Sequence, residues 1–191
     1  MKRKTFIKQL GYGSGATLFL PSSLLVGGCA HTPVERTAIT EADVPFLNDI
    51  GETIIPSTPT VPGAKATAIG EYIVLMYNDC MSQEDKAILV KGINELDRRS
   101  AQMFEKSFLD ATPEQRLQLL EAVQTEAHTY QLEMEGEEEA DAHYFQILKG
   151  LVLTGYFTSE IGMTQAREYL PVPGKYVACM PYAPKDKVWA L

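Results

Sequence analysis

Histidine, cysteine and positive charge are all scarce in this sequence, and each shortage removes a class of function. Its 191 residues include 3 His, 3 Cys and 17 Lys+Arg against 25 Asp+Glu, a formal net charge of −8. Lys2, Arg3, Lys4 and Lys8 all lie before position 29, in a stretch without an acid; without them 13 bases face 25 acids, or −12. A body that acidic repels phosphate backbones, so nucleic-acid binding is excluded. No apolar run approaches the roughly 20 residues that span a bilayer, which predicts a soluble body. No Cys-x-x-Cys-His occurs, so a c-type haem on this chain is not expected. There is no internal repeat, and 45% apolar with 22% charged residues is the composition of a folded chain.

The first residues read as an address. Lys2, Arg3, Lys4 and Lys8 form a basic n-region, and a short, Gly-containing apolar stretch follows from Gly11 to Val26. It ends in Leu25-Val26-Gly27-Gly28-Cys29, which resembles a bacterial lipobox, so Cys29 is the expected lipidation site; the alternative is a buried cysteine after a glycine pair. Arg3-Lys4-Thr5-Phe6-Ile7-Lys8 is similar to a twin-arginine export motif with Lys4 in place of the second arginine, so the twin-arginine and Sec routes both remain open. Residues 1–28 are thus expected to be an export signal, 29–39 a polar tether, and 40–191 a single domain. Lipidation and export predict a membrane-anchored protein facing the periplasm. In that oxidising compartment Cys80 and Cys179 form a candidate disulfide, against two separately buried thiols.

Start and stop signals divide residues 40–191 into helices, predicting an all-α bundle of five to six. Thr40-Glu41-Ala42-Asp43 resembles a capping box before the helical spacing of Phe46, Leu47, Ile50, Ile54 and Ile55, which Pro56 stops. A second helix is expected from about Ala64 to Asn78, apolar nearly all round at Ile69, Ile73, Leu75, Met76 and Tyr77, and therefore central. Ser82-Gln83-Glu84-Asp85 opens a third, to about Ser107. Thr112-Pro113-Glu114-Gln115 opens a fourth, carrying Leu117, Leu119, Leu120 and Val123. A fifth is expected over about Ala140–Tyr156 and a short one over Glu160–Tyr169. Pro171, Pro173, Pro181 and Pro184 then impose an extended tail bearing Tyr176, Tyr182 and Trp189.

Few constellations carry chemistry. A di-iron carboxylate site needs Glu-x-x-His on two helices. Thr125 stands three residues before His128 and Ala140 three before His143, so neither fits. Glu139 and His143 are one turn apart, spacing that serves a metal or, more simply, a solvated contact. The acidic run Glu133, Glu135, Glu137, Glu138, Glu139 and Asp141 is either a cation or docking site or a solvated loop held open by repulsion. No Ser/His/Asp or Cys/His set is evident, and no catalytic residue, metal or cofactor is assigned to this chain. Aromatics in irregular backbone at the C-terminal end, Tyr156, Phe157, Tyr176, Tyr182 and Trp189, suit a face pressed on another protein, or a tail wrapped on its own bundle.

Several motifs together resemble the gluconate 2-dehydrogenase subunit 3 family. They are Ile54-Ile55-Pro56 with Thr58 and Pro62-Gly63-Ala64, then Gly155-Tyr156-Phe157-Thr158-Ser159-Glu160-Ile161-Gly162. Tyr169-x-Pro171-x-Pro173-Gly174-x-Tyr176 and Trp189-Ala190 complete the set. The resemblance covers about residues 40–190. It implies a non-catalytic small subunit of a membrane-associated sugar or sugar-acid dehydrogenase. Its partner would be an FAD flavoprotein of the glucose–methanol–choline class, with a cytochrome c (haem c) subunit as a further partner, and the small subunit commonly carries the export signal for both. A stand-alone lipoprotein with a binding or scaffolding role is the alternative, and a metal-dependent helical oxidoreductase a third reading.

Overall fold

Capping chemistry sets most helix starts. In the computed structural model, which describes residues 35–137, 141–172, 174, 179, 181, 183, 184 and 186–190, the Thr40 N–H donates to Asp43 Oδ2 at 2.9 Å. A single 3₁₀ turn, Glu41–Asp43, leads into α1, Val44–Ile54, with Pro45 in its first turn. Ser82 accepts from the Asp85 N–H at 3.0 Å to start α3, Gln83–Phe104. Thr112 and Gln115 form the reciprocal box that starts α4, Pro113–Glu133, with the Thr112 N–H donating to Gln115 Oε1 at 2.9 Å. The fifth α-helix among the described residues, α5, is Tyr144–Thr158. The expected all-α bundle is what is found, without a strand among the described residues.

The second helix departs from expectation. Ala64–Thr67 is a 3₁₀ turn, Ala68 takes a left-handed conformation at φ 53°, and only then does α2, Ile69–Asp79, begin. The left-handed region disfavours an alanine by roughly 1 kcal/mol. The packing that holds it there is close: Asn48 of α1 accepts from the Gly70 N–H at 2.8 Å, and a Cβ on Gly70 would meet the Val44 carbonyl. Crossing so tightly on α1, α2 buries Ile69, Ile73, Val74 and Tyr77 but leaves Leu75 56% exposed, so it is not enclosed all round.

One core joins all five helices, from Phe46, Leu47 and Ile50 through Ile73, Leu89, Ile93 and Leu96 to Leu119, Val123, Leu148 and Val152. Through it runs a stack of cation, two rings and cation. The Arg36 guanidinium lies 4.5 Å from the Phe46 ring centre, Phe46 sits 5.1 Å from Phe108, and Arg116 caps Phe108 at 5.5 Å. Arg116 also pairs with Asp49 of α1 at 2.8 Å and donates to the Phe108 carbonyl at 2.9 Å, tying α4 to α1.

Arg36 corrects the expected domain boundary. Residues up to 39 were to be a free polar tether, yet Ile39 is buried and the Arg36 side chain is only 8% exposed. Its guanidinium pairs with Asp43 at 2.6 Å and approaches Asp97 at 4.0 Å, and its backbone N–H donates to Asn94 Oδ1 at 2.9 Å. Asn94 returns a bond from its amide to the Arg36 carbonyl at 2.8 Å. A single Glu-Arg pair in a polar stretch looks like linker in a linear reading; here the arginine satisfies two buried aspartates, one of them 61 residues away.

Candidate partner-docking surface

Two motifs 94 residues apart meet at one hydrogen bond, from the Tyr156 hydroxyl to the Pro62 carbonyl at 2.8 Å. Pro62 belongs to the loop that follows α1. Its ends are closed by the Ala64 N–H donating to the Ile55 carbonyl at 2.9 Å, and its tip by Thr58 to Val61 at 2.9 Å. Glu52, one turn back on α1, clasps the loop through its carboxylate, accepting from the Ser57 N–H at 2.8 Å and the Lys65 N–H at 3.1 Å. Burial, with Glu52 nearby, pushes the Tyr156 phenol above its ordinary value, keeping it a hydrogen-bond donor. Tyr156→Phe keeps the ring and removes the bond. We expect it to cost about 1 kcal/mol in urea unfolding, and an unchanged midpoint would show that the bond is not stabilising.

The same stretch turns the chain out of α5 and into the tail. The Ser159 hydroxyl donates to the Tyr156 carbonyl at 2.7 Å and accepts from the Gly162 N–H at 3.0 Å. Gly162 opens a π-helical turn, Gly162–Ala166, so near the end of α5 that a Cβ there would collide with the Tyr156 carbonyl. The turn brings the Arg167 guanidinium 4.4 Å over the Phe157 ring, which is itself edge-on to Tyr156 at 5.1 Å. A parallel bridge then holds the last residues: the Glu168 N–H donates to the Val188 carbonyl at 3.0 Å, and the Ala190 N–H to the Glu168 carbonyl at 2.8 Å. Lys187 adds a bond to the Gln165 carbonyl at 2.7 Å. Tyr169, Leu170, Val172, Val188 and Trp189, each at the bridge or within four residues of it along the chain, keep large apolar side chains in water, Val172 being 79% exposed and Val188 63%. Exposed apolar groups collected in one place mark contact surfaces.

Residues 41–174, well over half of the chain, match the family described as gluconate 2-dehydrogenase subunit 3. The chain belongs to that family. No curated protein and no solved structure matches it. Gluconate 2-dehydrogenase subunit 3 proteins are accessory subunits of a dehydrogenase complex. The matched residues contain both halves of the Tyr156–Pro62 contact.

In this subunit 3 chain the expected interface residues separate into three groups. Tyr156 is 2% exposed and belongs to the core, which corrects its assignment to the partner face; its aromatic surface is spent on its own bundle and its hydroxyl on Pro62. Phe157 is half-buried under Arg167, and Trp189 is 43% exposed on the bridge. Tyr176 and Tyr182 lie outside the described residues, as does Cys29. The expected Cys80–Cys179 disulfide is not formed: both are free, exposed thiols. Cys80 ends α2 in solvent and Cys179 lies in the tail, so no shared core brings them together.

His143, beside the acidic run, has a structural role. His143 is the N-cap of α5, its Nδ1 accepting from the Phe145 N–H at 3.2 Å, with its ring 4.6 Å from Tyr144 and 5.7 Å from Tyr130. Glu139 falls outside the described residues, and among those described no group of three His, Cys, Asp or Glu could hold a metal. Burial pushes the His143 imidazole down, as does nearby Arg99, while Glu126 opposes. Arg99 bridges α3 to α4 through Glu126 at 2.7 Å and also binds Glu95 at 2.8 Å, which holds its guanidinium protonated. A histidine depressed in the fold contributes stability that is complete above its ordinary value, near 6.5, and is lost as pH falls through its lower folded value. Protonation also removes the Nδ1 acceptor from the cap. The urea midpoint should therefore drop as pH falls below about 6.5, and His143→Asn, which caps without titrating, should flatten that part of the profile. An equal drop in both proteins would assign it to other groups.

Sequence reasoning missed Glu52, Asn48 and Arg167. Glu52 and Asn48 sit on α1 facing loops that pattern alone does not bring near, whereas Arg167, the one arginine in an aromatic stretch, offered a readable hint of stacking.

Proposed function

We propose that this chain is the non-catalytic accessory subunit of an exported FAD-dependent sugar or sugar-acid dehydrogenase of the glucose–methanol–choline class. It stabilises the flavoprotein and carries it to the periplasmic side of a membrane. The observation that carries the reading is the apolar surface of Tyr169, Leu170, Val172, Val188 and Trp189, fixed in place by the Glu168–Trp189 bridge beside Arg167. A small bundle whose core is already complete gains nothing from leaving these side chains in water, whereas aromatic and aliphatic anchors beside an arginine are what stable interfaces use. Flavin belongs to the partner, and haem c to a third subunit that accepts the electrons. The basic n-region and the lipobox-like Leu25–Cys29 supply export and a lipid anchor. Among the described residues no helix is long and apolar enough to cross a membrane, so on this reading the lipid at Cys29 is what holds the body there.

Expressing the flavoprotein encoded beside this chain, with and without it, tests the proposal. Export and dehydrogenase activity should both require the chain. A flavoprotein that is exported, soluble and active alone would falsify the accessory role and leave a stand-alone lipoprotein.

A further inference from the structure

The lock at Arg36 shortens the tether, and that restricts how the body can sit. With Arg36 and Ile39 built into the fold, only five residues separate Cys29 from Glu35, and the six steps between them reach no further than about 20 Å when fully extended. The face at which the chain enters the body must then stay close to whatever Cys29 is attached to. That face holds a groove of about 890 Å³ whose lining includes Glu35, Thr37, Tyr77, Lys86, Lys91 and Arg98.

Its charge contrasts with that of the rest of the molecule. The lining carries three bases, Lys86, Lys91 and Arg98, and two acids, Glu35 and Glu95, in a body of −12. Glu95 is occupied: Arg98 grips it through Nε at 2.8 Å and a second nitrogen, Arg99 binds it too, and the hydrogen bond from Arg98 holds its carboxyl below the ordinary range. Lys86 donates to the Asn78 carbonyl at 3.0 Å, and among the described residues Lys91 has no ion-pair partner. Ala87 and Val90 give the groove an apolar floor between these cations. An anionic surface would attract this face and repel the others.

We infer that the α3 groove is the membrane-facing side of the body, with Lys86 and Lys91 resting on anionic phospholipid headgroups. The inference rests on the reading of Cys29 as lipidated, and it adds an orientation to it. None of the groove-lining residues is among the exposed apolar residues Tyr169, Leu170, Val172, Val188 and Trp189.

The test uses the full lipidated protein in vesicles of phosphatidylcholine with or without phosphatidylglycerol, labelled with a water-soluble amine reagent and read by mass spectrometry. Lys86 and Lys91 should be labelled several-fold more slowly on the anionic vesicles than in detergent, with Lys187 in the tail unchanged. High salt should erase the difference, and Lys91→Glu should restore labelling of Lys86. Equal labelling of Lys91 on vesicles and in detergent overturns the inference. So does protection of Lys187 instead, or protection that needs the flavoprotein rather than the lipid. The intact mass reads the anchor separately. A lipidated chain with Lys91 unprotected removes the groove and keeps the anchor; an unlipidated chain with Lys91 protected on anionic vesicles does the reverse.

Discussion

Arg36→Ala is expected to destabilise the chain by about 3–5 kcal/mol, a large share of what a domain of this size possesses. The arginine is the counter-charge for Asp43 and Asp97, whose side chains are 10% and 4% exposed. Removing it strands carboxylates in a setting where water cannot replace the lost partner. Asp97 is committed besides, accepting from the Phe108 N–H at 3.0 Å, so it cannot swing out without breaking the loop between α3 and α4. The loss would also open the ring stack at Phe46 and release the segment that leads to Cys29. Urea unfolding should show the drop, with Arg36→Lys intermediate because an ammonium keeps the charge and loses the planar fork. A change under about 1 kcal/mol for the alanine variant would mean that the pair contributes little here.

Val188→Asp combined with Trp189→Ala should abolish association with the dehydrogenase while leaving the bundle folded. Truncation of a central tryptophan at an interface costs 2 kcal/mol or more, roughly a thirtyfold loss of affinity, and an aspartate buried against an apolar partner adds to it. Both positions are exposed in the isolated chain, and the bonds that hold the bridge use backbone atoms, so helicity and melting midpoint should stay close to those of the parent. Co-purification with the flavoprotein separates the outcomes. Loss of the partner with the fold intact supports docking at the bridged tail. Retention of the partner would show that this apolar surface is not the contact.

Much of the bundle was readable because its helix starts are local events. Thr112 with Gln115, and Ser82 with Asp85, are decided within four residues, and the structure has them as the spacing predicts. Helix faces were less legible. Leu75 and Leu117 look like core in a pattern, yet they are 56% and 47% exposed, because which side of a helix is covered depends on neighbours that the helix does not encode. The break at Ala68 could not be anticipated either: no glycine marks the left-handed residue, and only the approach of Gly70 to α1 imposes it. The site was legible as a set of motifs but not as a surface. Tyr156, the residue most suggestive of a binding face, proves to be the internal link between two motifs, and the exposed apolar side chains come from Leu170, Val172 and Val188, which an aromatic-centred reading passes over. Arg36 stayed hidden for the reason that its partners are 7 and 61 residues away along the chain.

Isolation of this protein from its native membrane through an affinity tag, followed by an absorption spectrum of what comes with it, addresses the central claim most directly. A flavin spectrum in about one-to-one proportion with the chain, reduced on adding a sugar or sugar acid, is the predicted result. A colourless preparation free of any dehydrogenase would contradict it.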